Sequence, residues 1–511
     1  MMKLTDLIQN IDYTVYPENA ALHALSVSDI AYNSKKAGTD ILFVCLAGAA
    51  ADGHDFAADA YARGSRIFVC EKKLPLPQDA VQLITENTRR ALASLSAALF
   101  RHPERKLRII GVTGTKGKST ICEMARHILT KNGIRAASVG TVGVRIDDTL
   151  TPTGNTTPES YELYRIFSEM VDRGIEYAVI EVSSQGIKLD RIFGIPFFAA
   201  VMTNLSEDHI GLHEHPDFED YKRCKMALFH RCEVGIFNAD DTYFEEFAEQ
   251  APCRKITYSL TSESGEADFT AHSIAPVLTP DGGFGVSYTV RHGVERADAV
   301  LPFPGAFSVS NALAAIAIGE LAGIPLQSSA AALRDVAVNG RFEIVKTPLP
   351  AVIFVIDYAH NGESLTAALA TLRAYKPRRL VCLFGSVGGR TEIRRRELGI
   401  AASEHADFSI LTSDNPDAES PRDIIRDIER HMTGASYIVI PDRREAIEYA
   451  VRNAKEGDVV LLAGKGHETY QLINGKKYPF SERDILMEAA ARLKGSVATA
   501  TIPGRSSGLK T

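Results

Sequence analysis

The run from Leu107 to Thr120, Leu-Arg-Ile-Ile-Gly-Val-Thr-Gly-Thr-Lys-Gly-Lys-Ser-Thr, limits the possible folds of this chain more than any other stretch. An apolar strand runs straight into a glycine loop, and from Lys118 a helical pattern continues to the stop signal Asn132-Gly133. With further strands expected at 177–182 and 197–203 and helical stretches between them, the pattern reads as a doubly wound α/β sheet. The loop is also a phosphate cradle. Gly114 and Gly117 let backbone N–H groups turn toward an anion, Lys118 offers a point charge to β/γ-phosphates, and the Ser119 hydroxyl can reach Mg²⁺. The following helix adds its positive N-terminal end. Gly-x-x-Gly-Lys-Ser is shorter than the usual Gly-x-x-x-x-Gly-Lys-Ser, and an ordinary glycine-rich turn is the competing reading. The strand, the Lys-Ser pair and the helix together disfavour it.

A chain of 511 residues is too long for one core and suggests three domains. The first, 1–104, alternates short apolar runs at 41–46 and 67–70 with Ala-rich helical patterns and ends in a charged, Pro-containing connector. The second, 105–338, holds the phosphate loop and a β-like stretch around 257–303. The third, 339–494, follows Asn339-Gly340, with strands at 352–356, 380–384, 408–411 and 459–462 and a last helix over about 482–493. The tail 495–511, rich in Ser, Gly and Thr, reads as disordered. A net charge of −7 without a basic cluster argues against nucleic acid and for small-molecule partners. Seven scattered cysteines without a Cys-x-x-Cys pair read as buried free thiols in a reducing compartment. No apolar leader or membrane-spanning window is visible, so the expectation is a soluble cytoplasmic protein.

Ligands of open α/β sheets sit outside the carboxyl ends of the strands, so strand ends supply the candidate site. Glu181 closes the run 177–181, where its carboxylate can join Ser119 on Mg²⁺. His209, His213 and His215 follow the next strand. Zinc is disfavoured there because neither cysteine nor a His-Glu-x-x-His helix accompanies them; a Mg²⁺ or phosphate contact by His209 fits better beside a phosphate loop.

Thr113-Gly-Thr-Lys-Gly-Lys-Ser-Thr120, Asn155-Thr156-Thr157-Pro158, Glu181-Val-Ser-Ser184, Thr203-Asn204-Leu205 with Asp208-His209, Gly340-Arg341-Phe342-Glu343, Asp357-Tyr-Ala-His-Asn361, Asp414-Asn415-Pro416 and Gly464-Lys-Gly-His-Glu468 occur in this order. With these blocks the chain resembles the Mur ligases over about residues 25 to 490, and the last two resemble the members that add the third amino acid of the peptidoglycan stem peptide. The resemblance implies a central P-loop domain flanked by an N-terminal UDP-binding α/β domain and a C-terminal Rossmann-like domain. It implies ATP held by Gly114, Thr115, Lys116, Gly117, Lys118, Ser119 and Thr120, with Asn311, Arg341, Asp357 and Asn361 around the nucleotide. Ser119 and Glu181 would hold one Mg²⁺. His209 and a carbamylated Lys225 would hold a second, and Lys118, Glu181, His209 and Lys225 form the implied catalytic set. Ser34 matches the uridine contact, and Asn155, Thr156, Thr157, Ser183 and Arg191 match contacts to the rest of the UDP-substrate. Arg390, Asp414, Asn415, Asp417, Gly464 and Glu468 match the amino-acid pocket.

The implied reaction is ATP-dependent amide formation through an acyl phosphate, with UDP-N-acetylmuramoyl dipeptide, an amino acid and ATP as partners and a monomer as the working form. Several positions depart from the family: Asn33-Ser34-Lys35 replaces Asp-Ser-Arg, Ala49-Ala50-Ala51 replaces a more polar loop, Gln185 stands for His, Leu189 for Gln and Gly211 for Asp. A divergent paralogue acting on another carboxylate is therefore one alternative, and a nucleotide-binding regulator without catalysis is another. In the relatives that add meso-diaminopimelate, Arg follows Asp-Asn-Pro and clamps the distal carboxylate; here that residue is Asp417. On that ground L-lysine is the expected third amino acid, with Arg394 or Arg395 as a replacement clamp if diaminopimelate is used instead.

Overall fold

The computed structural model describes residues 1–48, 51–207, 210–211, 214–262, 266–279, 282–349, 351–389 and 392–500. The chain separates into two compact units. One comprises Met1–His272 with Thr289–Asp298 and Ser310–Leu333; the other comprises Arg334 onward with Ser273–Tyr288 and Ala299–Val309.

The first hundred residues build a five-stranded sheet in the order Thr14–Tyr16, Val81–Ile84, Ile67–Cys70, Ile41–Val44, Asp29–Ala31, parallel except for its first pair. A 3₁₀ turn over Pro103–Lys106 leads to the phosphate-loop strand Arg108–Thr113. That strand lies inside an eleven-stranded sheet, between the parallel strands Tyr177–Glu181 and Phe197–Met202. Ile109 to Thr113 and all of Tyr177–Glu181 are buried, which explains the unbroken apolar runs: a parallel sheet covered on both faces leaves no polar side to alternate with. Gly111 makes room for a neighbour, since a Cβ there would stand 2.9 Å from the Phe197 ring. The helix Lys118–Lys131 covers the sheet with Ile121, Met124, Ala125, Ile128 and Leu129. Burying each of the large aliphatic side chains contributes about 1.5–3 kcal/mol. The helix stops where Gly133 adopts φ +82°.

In the other unit a six-stranded sheet runs Glu343–Val345, Ile353–Asp357, Asp458–Ala463, Arg379–Phe384, Phe408–Leu411, Tyr437–Val439, all parallel but the first. The carboxyl ends of neighbouring parallel strands therefore share one edge, and the motif residues cluster there: Gly114, Ser183 and Thr203 in one unit, Asp357, Asp414 and Gly464 in the other.

Two expectations change. The last helix runs Glu482–Ala500 instead of ending near 493, so the irregular tail does not begin at 495. Adding a residue to an existing helix needs no new nucleus. Residues 501–511 lie outside the described part. All seven cysteines are free, but Cys224 and Cys232 are only half-buried. Among the described residues no helix is long and apolar enough to cross a membrane.

Candidate active site

The phosphate loop is shaped by the strand beside it. Gly114 adopts φ +138°, and a Cβ there would lie 1.8 Å from Thr203 Oγ1; at Gly117, φ +87°, it would lie 2.4 Å from Asn311 Oδ1. Both positions thus require glycine for conformation and for space. The Thr203 hydroxyl donates to Lys116 O at 2.6 Å, Asn204 Oδ1 accepts the Lys116 N–H at 2.9 Å, and Asn204 O accepts the Thr115 N–H at 2.8 Å. Thr115 Oγ1 donates to Ser206 O at 3.1 Å and lies 3.1 Å from the Tyr221 hydroxyl. Residues 203–206 are in effect the mould of the loop, a role the Thr-Asn-Leu motif did not disclose by itself.

Two lysines converge on one carbonyl. Lys118 Nζ donates to Gly114 O and Thr115 O, each at 2.9 Å, and Lys225 Nζ donates to Gly114 O at 2.8 Å. Lys225 is 1% exposed, with its amino group 4.4 Å from the Tyr221 ring centroid. Ser119 is buried and Thr120 half-buried on the first helical turn. Asp208 and His209 lie outside the described residues.

Glu181, 3% exposed, is oriented by a residue that the sequence did not single out. Its Oε1 accepts the Thr141 N–H at 2.8 Å and its Oε2 the Thr141 hydroxyl at 3.1 Å, while a Cβ on Gly140 would stand 2.1 Å from Oε1. Thr141 Oγ1 lies 3.0 Å from Thr156 Oγ1, and Thr157 Oγ1 donates to Glu181 O at 2.9 Å and lies 3.0 Å from Ser183 Oγ. Arg191 bonds Thr157 O at 3.0 Å and Glu159 at 2.6 Å; Arg89 pairs with the same Glu159 at 3.1 Å. Thr156, Thr157, Ser183, Arg191 and Glu181 therefore belong to one hydrogen-bonded network. Asn155 is exposed beside it. Ser34 sits elsewhere in the same unit, in the 3₁₀ turn Ser34–Lys36 capped by Asn33, and its bond to Asp59 helps hold that carboxyl below its usual range.

Buried Ser119 and Glu181 are hard oxygen donors of the kind Mg²⁺ takes. Lys225 as a free amine does not fit a cation, whereas its carbamate would present an anionic oxygen in the same place. His215, Asp220 and Cys224 also lie close together, with donor atoms within 4.8 Å. However, Asp220 already pairs with Lys188 at 2.8 Å and with Arg223, so cationic side chains fill the position of a metal.

In the second unit, Asp357 Oδ2 accepts the Phe342 N–H at 2.9 Å and Oδ1 the Ala359 N–H at 2.8 Å. Burial raises its pKa, against the pull of Arg341 and these bonds. The Arg341 guanidinium lies 4.6 Å from the Tyr358 ring centroid, and Asn361 caps the helix Gly362–Arg373 in a capping box with Ser364. Asp414 and Asn415 are buried at the end of Phe408–Leu411. Asn415 Nδ2 donates to Glu468 Oε2 at 2.8 Å, and Gly464, at φ +114°, lets the Asp414 carboxylate approach so closely that a Cβ would lie 2.5 Å from Oδ2. Behind them the fully buried Arg443 bonds Glu482 at 2.8 Å, Ser413 O at 3.0 Å and Ala463 O at 2.8 Å, which ties two strand ends together. A lone Arg in a helical run gave no sign of this.

Two residues considered for the pocket are held by protein partners. Asp417 Oδ1 accepts the Gly475 N–H at 2.6 Å, its N–H donates to Leu472 O at 3.0 Å, and its carbonyl accepts the Asn474 N–H at 2.9 Å. It therefore anchors the hairpin of Tyr470–Ile473 and Lys476–Pro479. One oxygen of its carboxylate is thereby taken up by the turn. Arg395 is not a spare clamp, since it pairs with Glu419 at 2.6 Å and Asp427 at 2.8 Å. Arg390 lies outside the described residues.

Comparison with known proteins follows the same blocks. Residues 26–100 match the Mur ligase family catalytic domain, 112–319 the Mur ligase middle domain, and 340–466 the Mur ligase glutamate ligase domain. The UDP-N-acetylmuramoyl-L-alanyl-D-glutamate–2,6-diaminopimelate ligase of Caldanaerobacter subterraneus is 38% identical over 493 residues, covering 96% of this chain and 99% of its own. The counterpart in Clostridium perfringens is 36% identical over 492 residues, 95% and 99% of the two chains. A solved structure of a ligase of the same name aligns with TM-score 0.67 and 28% identity, covering 96% of this chain and 99% of that one.

Proposed function

This chain belongs to the Mur ligase family, and from that premise we propose that it joins 2,6-diaminopimelate to UDP-N-acetylmuramoyl-L-alanyl-D-glutamate, adding the third residue of the peptidoglycan stem peptide. It is an ATP-dependent amide-forming ligase of the EC 6.3.2 type. The choice of diaminopimelate follows the relatives and replaces L-lysine.

In this scheme the substrate carboxylate attacks the γ-phosphoryl of ATP, and the amino group of the incoming amino acid displaces phosphate from the acyl phosphate. The amides of Gly114 to Thr120 and the Lys118 amino group hold the phosphates, with Asn311, Arg341, Asp357 and Asn361 around the nucleotide. Ser119 and Glu181, with His209 and carbamylated Lys225, would hold Mg²⁺, which supplies charge neutralisation to the phosphates. Thr141 keeps the Glu181 carboxylate turned toward that task. Ser34 takes the uridine end, Asn155, Thr156, Thr157, Ser183 and Arg191 take the peptide arm, and Asp414, Asn415, Gly464, Glu468 and Arg390 take the amino acid. Segments 1–104, 105–338 and 339–494 divide these three tasks in a monomer of the cytoplasm, where nucleotide-linked precursors and ATP are at hand.

The observation that carries the reading is the moulded glycine loop, with two lysine amino groups meeting at Gly114 O. The test is ADP release by the purified protein, followed by mass analysis of the product. Release that requires both the UDP-muramoyl dipeptide and diaminopimelate, with the mass of the tripeptide, is expected. ATP turnover indifferent to both would overturn the proposal.

A further inference from the structure

Lys465 is a fully buried lysine to which the scheme above gives no task. It follows Gly464 at the end of the strand Asp458–Ala463. A cation in that position is unfavourable unless it is paired and hydrogen-bonded, so its surroundings reveal what it does. Its amino group donates to Asn415 Oδ1 at 3.0 Å and to Glu468 Oε2 at 2.9 Å, and it lies 3.8 Å from Asp414 Oδ1. The Tyr470 and Phe480 ring centroids stand 5.7 and 6.0 Å away. Asn415 is held from a second direction, because its Oδ1 also accepts the Leu472 N–H at 3.0 Å while its Nδ2 donates to Glu468 Oε2. Both bonds to Glu468 thus fall on Oε2 rather than on Oε1.

We propose that Lys465 is a positioning residue for the amino-acid substrate: its charge draws Asp414, Asn415 and Glu468 into one oxygen-rich rim that receives a substrate ammonium on Glu468 Oε1 and Asp414. This rests on the assignment of those three residues to the amino-acid pocket. The charge balance agrees. Glu482 is matched by Arg443, and Lys465 offsets one of the two carboxylates it faces, so the rim keeps the negative charge that an incoming ammonium neutralises. Without Lys465 two carboxylates would face each other across a dry pocket, and like charges disfavour one another most where water is excluded. The pocket would then open or take up a proton, and in either case it would lose the geometry that fits the substrate.

The test is steady-state kinetics of Lys465→Met in the full-length enzyme, with the amino acid, ATP and the UDP-substrate varied in turn. The KM for the amino acid is expected to rise at least tenfold, while the other two KM values stay within about twofold. A folded variant whose three KM values rise together, or whose amino-acid KM is unchanged, overturns the proposal. Should the methionine variant not fold, Lys465→Gln, which keeps a hydrogen-bond donor but not the charge, is judged by the same ratios. A wild-type enzyme that forms no amino-acid-dependent product refutes the functional reading instead, so the two failures are told apart.

Discussion

At the residue scale, the side chains of the site differ in how much of the fold they carry. Lys118 is half-buried and its amino group bonds the loop carbonyls of Gly114 and Thr115, so Lys118→Ala is expected to leave the protein folded and to lower turnover by about 10²–10³, the loss typical of one transition-state charge contact. Circular dichroism with single-turnover phosphate release checks both halves. His467 behaves differently. Burial, then the positive charges of Arg341 and Lys465, push its pKa down to about 4. Its imidazole faces Tyr358 at 5.0 Å. Between that value and the ordinary histidine value of about 6.5 the unfolded chain binds a proton that the folded chain refuses, so folding weakens as pH falls through this window. The loss amounts to at most about 3 kcal/mol and is complete near pH 4. Urea unfolding of wild type and His467→Gln across pH 7 to 4 should show the variant with the flatter decline; parallel curves would contradict a neutral buried imidazole.

At the scale of elements, the hairpin of Tyr470–Ile473 and Lys476–Pro479 is anchored by Asp417. Asp417 has φ +49°, a conformation Asp tolerates better than Ala, and its carboxylate takes the Gly475 N–H. Asp417→Ala should therefore lower stability by about 1–2 kcal/mol, with Asp417→Asn closer to wild type, as read by thermal unfolding. A changed amino-acid KM at unchanged stability would return Asp417 to the substrate. The phosphate-loop strand, its helix and the strand ending at Glu181 were legible because each writes its role locally, in an apolar run, a glycine or a Lys-Ser pair. Thr141, Arg443 and Lys465 were not. Thr141 and Arg443 meet Glu181 and Glu482 40 and 39 residues away, and Lys465 meets Asn415 50 residues away besides its near neighbour Glu468; contacts set by sheet order leave no local pattern to read. The helix running on to Ala500 was missed for the opposite reason, since local composition suggested an end that an established helix passes through.

At the scale of the whole molecule the open choice is which amino acid the ligase takes, and it turns on net charge rather than on any single clamp. L-Lysine ends in a bare ammonium, whereas meso-diaminopimelate ends in an ammonium and a carboxylate. In the pocket, Lys465 sits 2.9 Å from Glu468 and the rim keeps negative charge for one ammonium, which either amino acid can supply. The zwitterionic end adds a carboxylate, which the Lys465 charge favours at longer range and which L-lysine lacks. Burial raises the pKa of Asp414 despite Arg443 and Lys465, which makes an added anion at the rim costly only where no cation answers it. One mispaired charge in a desolvated pocket costs a few kcal/mol, so the expected preference for meso-diaminopimelate over L-lysine is at least about tenfold in kcat/KM. The same ratio measured in Lys465→Met should fall toward one, because removing the cation takes away the charge that favours the zwitterion's carboxylate, while the disturbed rim weakens binding of both amino acids. A wild-type enzyme that prefers L-lysine would restore the expectation first drawn from Asp417 and would require another residue to explain it.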